Sequence, residues 1–364
     1  MKRVMIYAYT QLNLGDDLFI KILCDRYPNT QFILQGKGYK NKFKHIVNLK
    51  CYEAEILCIR VINKVFRMIG LGKIQLLRIQ EKVLIRNIDA AVYIGGSIFI
   101  QNEEWDRDLD LFNKRVVKKY PFYFIGCNFG PYSLEEFYKG YRELFSRCKD
   151  VCFREKYSYD LFKDMSNIRK ADDVVFGLKS STLSKGNNIV ISVINLEERK
   201  NLSIYDREYV LKIAHLCKHI LDQGDQVTLM SFCKAEGDER AINKILDVLN
   251  EEYRTKVVVN CYNGDIEEAL KVLGSSKLIV GTRFHAMILG FTLGVPVFPI
   301  IYSDKMKNVL EDIDFTGKSV RVEEIGSIDI EEIYNSIFTN WIDVSKQKQE
   351  AEKQFMALDE LLKG

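Results

Sequence analysis

The sequence lacks most of the features that give a function away at first reading. Its 53 basic and 50 acidic residues leave a formal charge of only +3 over 364 residues. No general field of the kind that holds nucleic acid is present, so no nucleic-acid partner is expected. The nine cysteines, among them Cys24, Cys58, Cys127, Cys148 and Cys261, form no CxxC pair and do not reach the density of a disulfide scaffold. They read as reduced residues of a cytosolic protein. Residues Met1 to Tyr9 enter a strand pattern with no apolar leader or cleavage site, and no stretch reaches spanning length without charges. A cytoplasmic chain without secretion signal or membrane anchor is expected. Histidine is scarce, with four in all: His45, His215, His219 and His285.

What is there is an alternation of strand-length apolar runs with helical periods, which argues for α/β architecture with largely parallel sheets. At this length two domains are expected. Strands are predicted over Val4 to Tyr9, Phe32 to Leu34, Ala91 to Ile94 and Phe122 to Gly126, with a helix over Leu18 to Tyr27. Residues 177–187 are small and polar without apolar period and read as a linker. A second series follows, with strands at Ile189 to Ile194, Gln226 to Ser231, Val257 to Asn260, Lys277 to Val280 and Val297 to Ile301. Its helices are predicted over Tyr205 to Leu221, Asp238 to Leu249 and Ile266 to Leu273. The domains are therefore set at 1–180 and 185–325, with one or two C-terminal helices over 326–364 that pack back on the first lobe. Two doubly wound Rossmann-like lobes facing each other across a cleft, as in the GT-B class, are the fold class expected; ligands of open α/β sheets bind at the carboxyl ends of the strands.

Several polar motifs fall at those strand ends. In Gly281-Thr-Arg-Phe-His-Ala-Met, a strand gives way through a polar turn to a helix. A helix N-terminus favours anions, and an arginine fork at Arg283 adds bidentate donors suited to phosphate or carboxylate. His285 beside a bound phosphate can stay protonated and serve as a general acid; the plainer alternative is a histidine capping the turn. In Asn13-Leu-Gly-Asp-Asp, Gly15 permits close backbone approach and Asp16 can orient a sugar hydroxyl, or Asp16 or Asp17 simply caps the helix. Gly95, Gly96 and Ser97 end one strand, exposing N–H groups to a ligand or making a tight turn. Asn128 follows another, and Arg154 emerges where a buried strand meets its helix, for a ligand or for an ion pair with Glu155. His215 and His219 are spaced i,i+4, but no further ligands complete a metal site. The basic stretch 58–86 carries Arg60, Lys64, Arg67, Lys73, Arg78, Lys82 and Arg86 with Glu81 its one acid. It reads first as a solvated helix face, with contact to an anionic membrane surface or to a lipid diphosphate as the alternative.

Taken in order, Asn13-Leu-Gly-Asp16, Gly95-Gly96-Ser97, Gly126 to Pro131, Phe153-Arg-Glu155 with Ser158, Ala171-Asp-Asp173, and Gly281-Thr-Arg-Phe-His285 followed by Gly294-Val-Pro296 resemble the polysaccharide pyruvyl transferase family. The resemblance spans roughly residues 1 to 310; the stretch 58–86 departs from it and leaves acceptor recognition open. It implies phosphoenolpyruvate as donor, with Arg154, Arg283 and Lys305 binding it and His285 as the catalytic acid. Asn13, Gly15, Asp16, Gly95, Gly96, Ser97 and Asn128 would line the cleft or the acceptor. It further implies a glycan acceptor, lipid-diphosphate-linked, and no metal or organic cofactor. A GT-B glycosyltransferase or nucleotide-sugar enzyme using a UDP-sugar is the main alternative, and a catalytically silent glycan-binding or scaffold subunit is another.

Overall fold

The computed structural model describes residues 1–36, 39, 42–53, 77–116, 119–179, 183–199 and 201–364. Two compact units result: one made of 1–10, 19–171 and 352–364, the other of 11–18 and 172–351. The second thus takes an eight-residue piece from near the N-terminus, and residues 326–351 belong to it as well. The C-terminal segment holds three helices, Ile330–Thr339, Ser345–Glu352 and Met356–Leu362, rather than one or two. Most of the basic stretch 58–86 lies outside the described residues; its end forms the helix Leu77–Leu84 and a turn at Ile85–Asn87.

The first unit is built on a seven-stranded parallel sheet. Its strands are β1 (Arg3–Tyr7), β2 (Gln31–Gln35), β3 (Leu49–Tyr52), β4 (Ala90–Ile94), β5 (Phe122–Cys127), β6 (Asp150–Phe153) and β7 (Ile168–Lys170). Their spatial order is β3-β2-β1-β4-β5-β6-β7. The second unit repeats the design with β8 (Asn188–Ser192), β9 (Gln226–Ser231), β10 (Val258–Cys261), β11 (Leu278–Gly281), β12 (Val297–Ile301) and β13 (Val320–Arg321), ordered β10-β9-β8-β11-β12-β13. Both orders are doubly wound, with the direction of winding reversing between β1 and β4 and between β8 and β11. Those reversals open a crevice at the carboxyl edge of each sheet, the place where such folds take ligands.

Sequence dictates which strands lie inside. Every residue of β5, β11 and β12 is buried, as expected for parallel strands covered on both faces. Edge strand β10 alternates no apolar face inward and is largely exposed. Packing differs between the units. The first core is aromatic, with Phe99 meeting Phe124 and Phe145 edge-on at 5.0 Å and Phe129 meeting Phe162 at 4.9 Å. Such pairs add about 0.5–1.5 kcal/mol beyond their burial. The second core is mostly aliphatic, including Ile189, Ile191, Ile213 and Leu229. No described helix is long and apolar enough to cross a membrane.

A buried side chain ties the tail of the first unit to the ends of its strands. Gln354 is fully buried; its amide oxygen accepts from Gly126 N–H at 2.9 Å, and its nitrogen donates to Ala171 O at 3.1 Å and Phe153 O at 3.4 Å. Gln354→Met keeps the volume but strands these backbone groups, and should cost about 1–3 kcal/mol in urea unfolding. A variant as stable as the parent would show that the tail contributes little.

Candidate functional site

At the carboxyl edge of the second sheet, Ser192 closes β8 and its Oγ accepts the N–H groups of Thr282 (3.1 Å) and Arg283 (3.2 Å), which follow β11. This fixes the turn on which Arg283 stands, in extended conformation, as the residue before the helix Phe284–Thr292. Nearly every side chain of that helix is buried, which is why its sequence is apolar apart from His285 and Thr292. Arg283 itself is 6% exposed. Its Nε donates to Asp238 Oδ2 at 3.0 Å, its Nη2 binds Asp238 Oδ1, and its Nη1 binds Glu236. Asp238, fully buried, also accepts from the N–H groups of Phe232 and Cys233, both at 2.9 Å. The expected bidentate fork for a substrate is thus occupied by Asp238, a correction to the sequence reading. A buried guanidinium needs such a partner, and an acid in the first turn of the helix Asp238–Val248 supplies it.

Glu236 joins further groups to this pair. Arg199 Nη2 donates to it at 3.1 Å and Asn13 Nδ2 at 3.2 Å. Lys305 lies in the helix Asp304–Asp312, its Nζ 5.7 Å from the centre of the Phe284 ring and 5.5 Å from that of Tyr302. The Arg199 guanidinium also lies over the Tyr302 ring, 4.8 Å from its centre. Burial raises the Glu236 carboxyl, but Arg283, Arg199 and Lys305 outweigh it and hold it at about 2. Burial likewise pushes the Tyr302 phenol up, and the charges of Lys305, Arg199 and Arg283 overcome this and bring it below its usual range. Three cations against the carboxylates of Glu236 and Asp238 leave one positive charge, so the cluster can accept an anion.

The pH dependence follows. The ordinary glutamate value is 4.5 and the folded one lies lower, so the stability Glu236 contributes is complete above that value and is lost as pH falls toward 2. The stability gap between the parent and Glu236→Gln in urea should be widest near about pH 6 and shrink by about pH 3. A gap that grows on acidification would contradict this assignment.

His285 stands two residues on, in the first turn of its helix. A β-carbon built on Gly15 would fall well inside contact distance of the imidazole, so only glycine fits there. The helix Leu14–Arg26 begins four residues earlier than its sequence suggests, because the Asn13 carbonyl accepts Asp17 N–H and its side chain accepts Gly15 N–H at 3.0 Å. Asp16 and Asp17 are therefore first-turn residues and not caps. Asp17 is fully buried and accepts from the Tyr262 hydroxyl at 2.7 Å, while Asp16 is half-buried. The second unit thus gathers Asn13, Gly15, Arg283 and His285 in one place, with Lys305 beside Phe284.

The first unit gathers the rest. Arg154, 3% exposed, donates from Nη2 to Asn128 Oδ1 at 2.8 Å, and Ser97 Oγ meets the same oxygen at 3.3 Å. A β-carbon on Gly96 would come within 2.5 Å of the Arg154 guanidinium, and Asn128 N–H donates to Gly96 O at 3.0 Å. Gly95 follows β4 directly, so Gly95, Gly96, Ser97, Asn128 and Arg154 share the carboxyl edge of the first sheet. Glu155 accepts from Ser158 Oγ at 2.7 Å, and Ser158 accepts from Phe129 N–H at 2.7 Å.

Sequence reasoning missed Arg199, Glu236, Asp238 and Tyr302. Each had a weak signal: acids beside Gly237 at a helix start read as ordinary dipole partners, and Arg199 sits in a charged loop. His219 faces the helix Ile330–Thr339, 3.6 Å from Glu331 and edge-on to Tyr334. Among the described residues no group of three or more His, Cys, Asp or Glu is placed to hold a metal ion.

Comparison with known proteins agrees with the fold. The UDP-GlcNAc 2-epimerase of Methanocaldococcus jannaschii is similar over 99% of this chain and all of its own, with a TM-score of 0.59 at 13% identity. Anabaena Alr3699/HepE, solved with UDP and glucose, is similar over 100% of this chain and 99% of its own, with a TM-score of 0.56 at 11% identity. These likenesses establish a GT-B-like α/β fold. In sequence, the amylovoran biosynthesis protein AmsJ of Erwinia amylovora is 23% identical over 297 residues, 74% of this chain and 70% of its own. The model of the family described as polysaccharide pyruvyl transferase matches residues 13–304, a span that takes in the Asn13 turn, both arginines and His285, and the chain belongs to that family as a polysaccharide pyruvyltransferase.

Proposed function

We propose that the chain transfers the pyruvyl group of phosphoenolpyruvate to two hydroxyls of one sugar in a bacterial surface polysaccharide or its lipid-linked precursor, forming a pyruvate ketal in the cytoplasm. The observation that carries the donor assignment is the second-unit cluster: a net positive corner at the winding reversal, with His285 seated beside it against Gly15. The likeness to an amylovoran biosynthesis protein supports a bacterial exopolysaccharide as the destination.

In this reading His285, as imidazolium, delivers a proton to the methylene carbon of the enol, which becomes a methyl group and leaves an oxocarbenium-like centre at C2. A sugar hydroxyl adds there and loses its proton. The C2–O bond to phosphate then breaks, phosphate departs with the bonding electrons, and a second hydroxyl closes the ketal, losing its proton in turn. Positive groups stabilise the carboxylate and the departing phosphate. Lys305 takes these anions in the second unit, whereas Arg283 acts through its charge and by holding the Arg-Phe-His turn. The route needs no metal or organic cofactor.

Calorimetric titration with phosphoenolpyruvate and, separately, with UDP-sugars tests the reading. Binding of phosphoenolpyruvate is expected. Binding of a UDP-sugar alone would overturn it in favour of a nucleotide-sugar enzyme.

A further inference from the structure

Asn195, in the loop after β8, is 1% exposed, and among the described residues neither its amide nitrogen nor its amide oxygen has a hydrogen-bond partner. An unmatched buried amide is costly, about 1–3 kcal/mol per group, so a ligand is a natural explanation. Its surroundings point to an anion. The amide nitrogen lies 2.9 Å from where a β-carbon on Gly237 would be. Gly237, with φ of 82°, is the residue that opens the eleven-residue helix Asp238–Val248, and no side chain caps that helix. The Asp238 carboxylate is turned away to Arg283 and to Phe232 and Cys233 N–H, so it does not serve its own helix end.

Arg199 stands four residues beyond Asn195. One of its nitrogens is on Glu236, while its buried Nε has no partner among the described residues. The remaining charges nearby are matched: Arg240 with Glu198, and Lys234 with Glu239 at 3.0 Å. An uncapped helix start, an unmatched amide and an unmatched guanidinium N–H make a set of donors suited to a tetrahedral oxyanion.

We propose that Asn195, Arg199 and the N-terminus of the helix Asp238–Val248 form a phosphate-binding subsite at the ends of β8 and β9, beside the Arg-Phe-His turn that follows β11. That the phosphate belongs to phosphoenolpyruvate rests on the pyruvyl-transfer reading; the subsite itself does not. Gly237 keeps the approach open, since a side chain there would meet Asn195.

The test titrates the full chain with inorganic phosphate, pyruvate and phosphoenolpyruvate, using the parent, Asn195→Leu and Asn195→Asp, each checked for folding by circular dichroism. Leucine removes the amide at similar volume, and aspartate repels an anion without loss of polarity. Phosphate and phosphoenolpyruvate should each bind at least about tenfold more weakly to both variants, with pyruvate unchanged. Loss of pyruvate binding in place of phosphate binding would make the corner a carboxylate site and overturn the assignment. Phosphoenolpyruvate binding that neither variant disturbs would sink the subsite and leave pyruvyl transfer standing. Phosphate binding lost in both variants, in a parent that ignores phosphoenolpyruvate, would uphold the subsite and sink the donor assignment. A parent that binds no phosphate overturns the subsite.

Discussion

Arg283→Ala should lower the free energy of unfolding by about 3–5 kcal/mol, the cost of leaving a buried charge without its partner. Asp238 is fully buried and takes two of its four hydrogen bonds from that guanidinium; removing it leaves the carboxylate facing a cavity. Replacing both partners by apolar residues of similar size, Arg283→Met with Asp238→Leu, should recover most of the loss, because no charge is then stranded. Urea unfolding of the two singles and the double closes the cycle. A single variant within about 1 kcal/mol of the parent would show the pair to be far better solvated than its burial implies. The result also governs how binding data are read. Loss of phosphoenolpyruvate affinity in Arg283→Ala would report a disordered corner as readily as a lost contact, and Arg283→Met with Asp238→Leu separates the two.

His285→Gln should reduce pyruvyl transfer by about 10²–10⁴-fold, the usual contribution of a general acid, with phosphoenolpyruvate affinity little changed. Gly15→Ala is its structural counterpart. The added methyl must push the imidazole from its seat, and displacement by about 1 Å can cost about a hundredfold. The two substitutions should not add: in the double variant, Gly15→Ala has no histidine left to displace and should reduce the rate no further. Phosphate release from phosphoenolpyruvate in the presence of a glycan acceptor measures all three. Full activity in His285→Gln would remove the histidine from the mechanism, and additive losses would mean that Gly15 acts through something else.

How much of this was legible in the chain depends on how local each cause is. The inner strands were, since a parallel strand covered on both faces must be an unbroken apolar run, as in Phe122–Cys127 and Val297–Ile301. The Arg-Phe-His turn was legible because the strand, turn and helix follow one another directly. The first helix was misplaced: Asp16 or Asp17 reads as its cap, whereas the side chain that caps belongs to Asn13. The partner of Arg283 was not legible at all. Asp238 lies 45 positions earlier, and an acid in the first turn of a helix looks the same in sequence whether it faces solvent or a buried guanidinium. Asn195 escaped for a similar reason, since an orphaned amide is defined by what surrounds it and not by its neighbours in the chain.

The division of the chain between its two units bears on synthesis. Residues 11–18 belong to the second unit, and the first unit draws on 352–364, where Gln354 fills the hydrogen bonds of Gly126, Phe153 and Ala171 and Arg26 and Tyr27 bind Asp359. A ribosome reaches these thirteen residues only after every residue of the second unit. The unit begun first is thus finished last, after the other has been made in full, and an early eight-residue piece must wait for a partner sheet not yet translated. A nascent chain halted near residue 171 holds every strand of the first sheet without the glutamine that completes its edge.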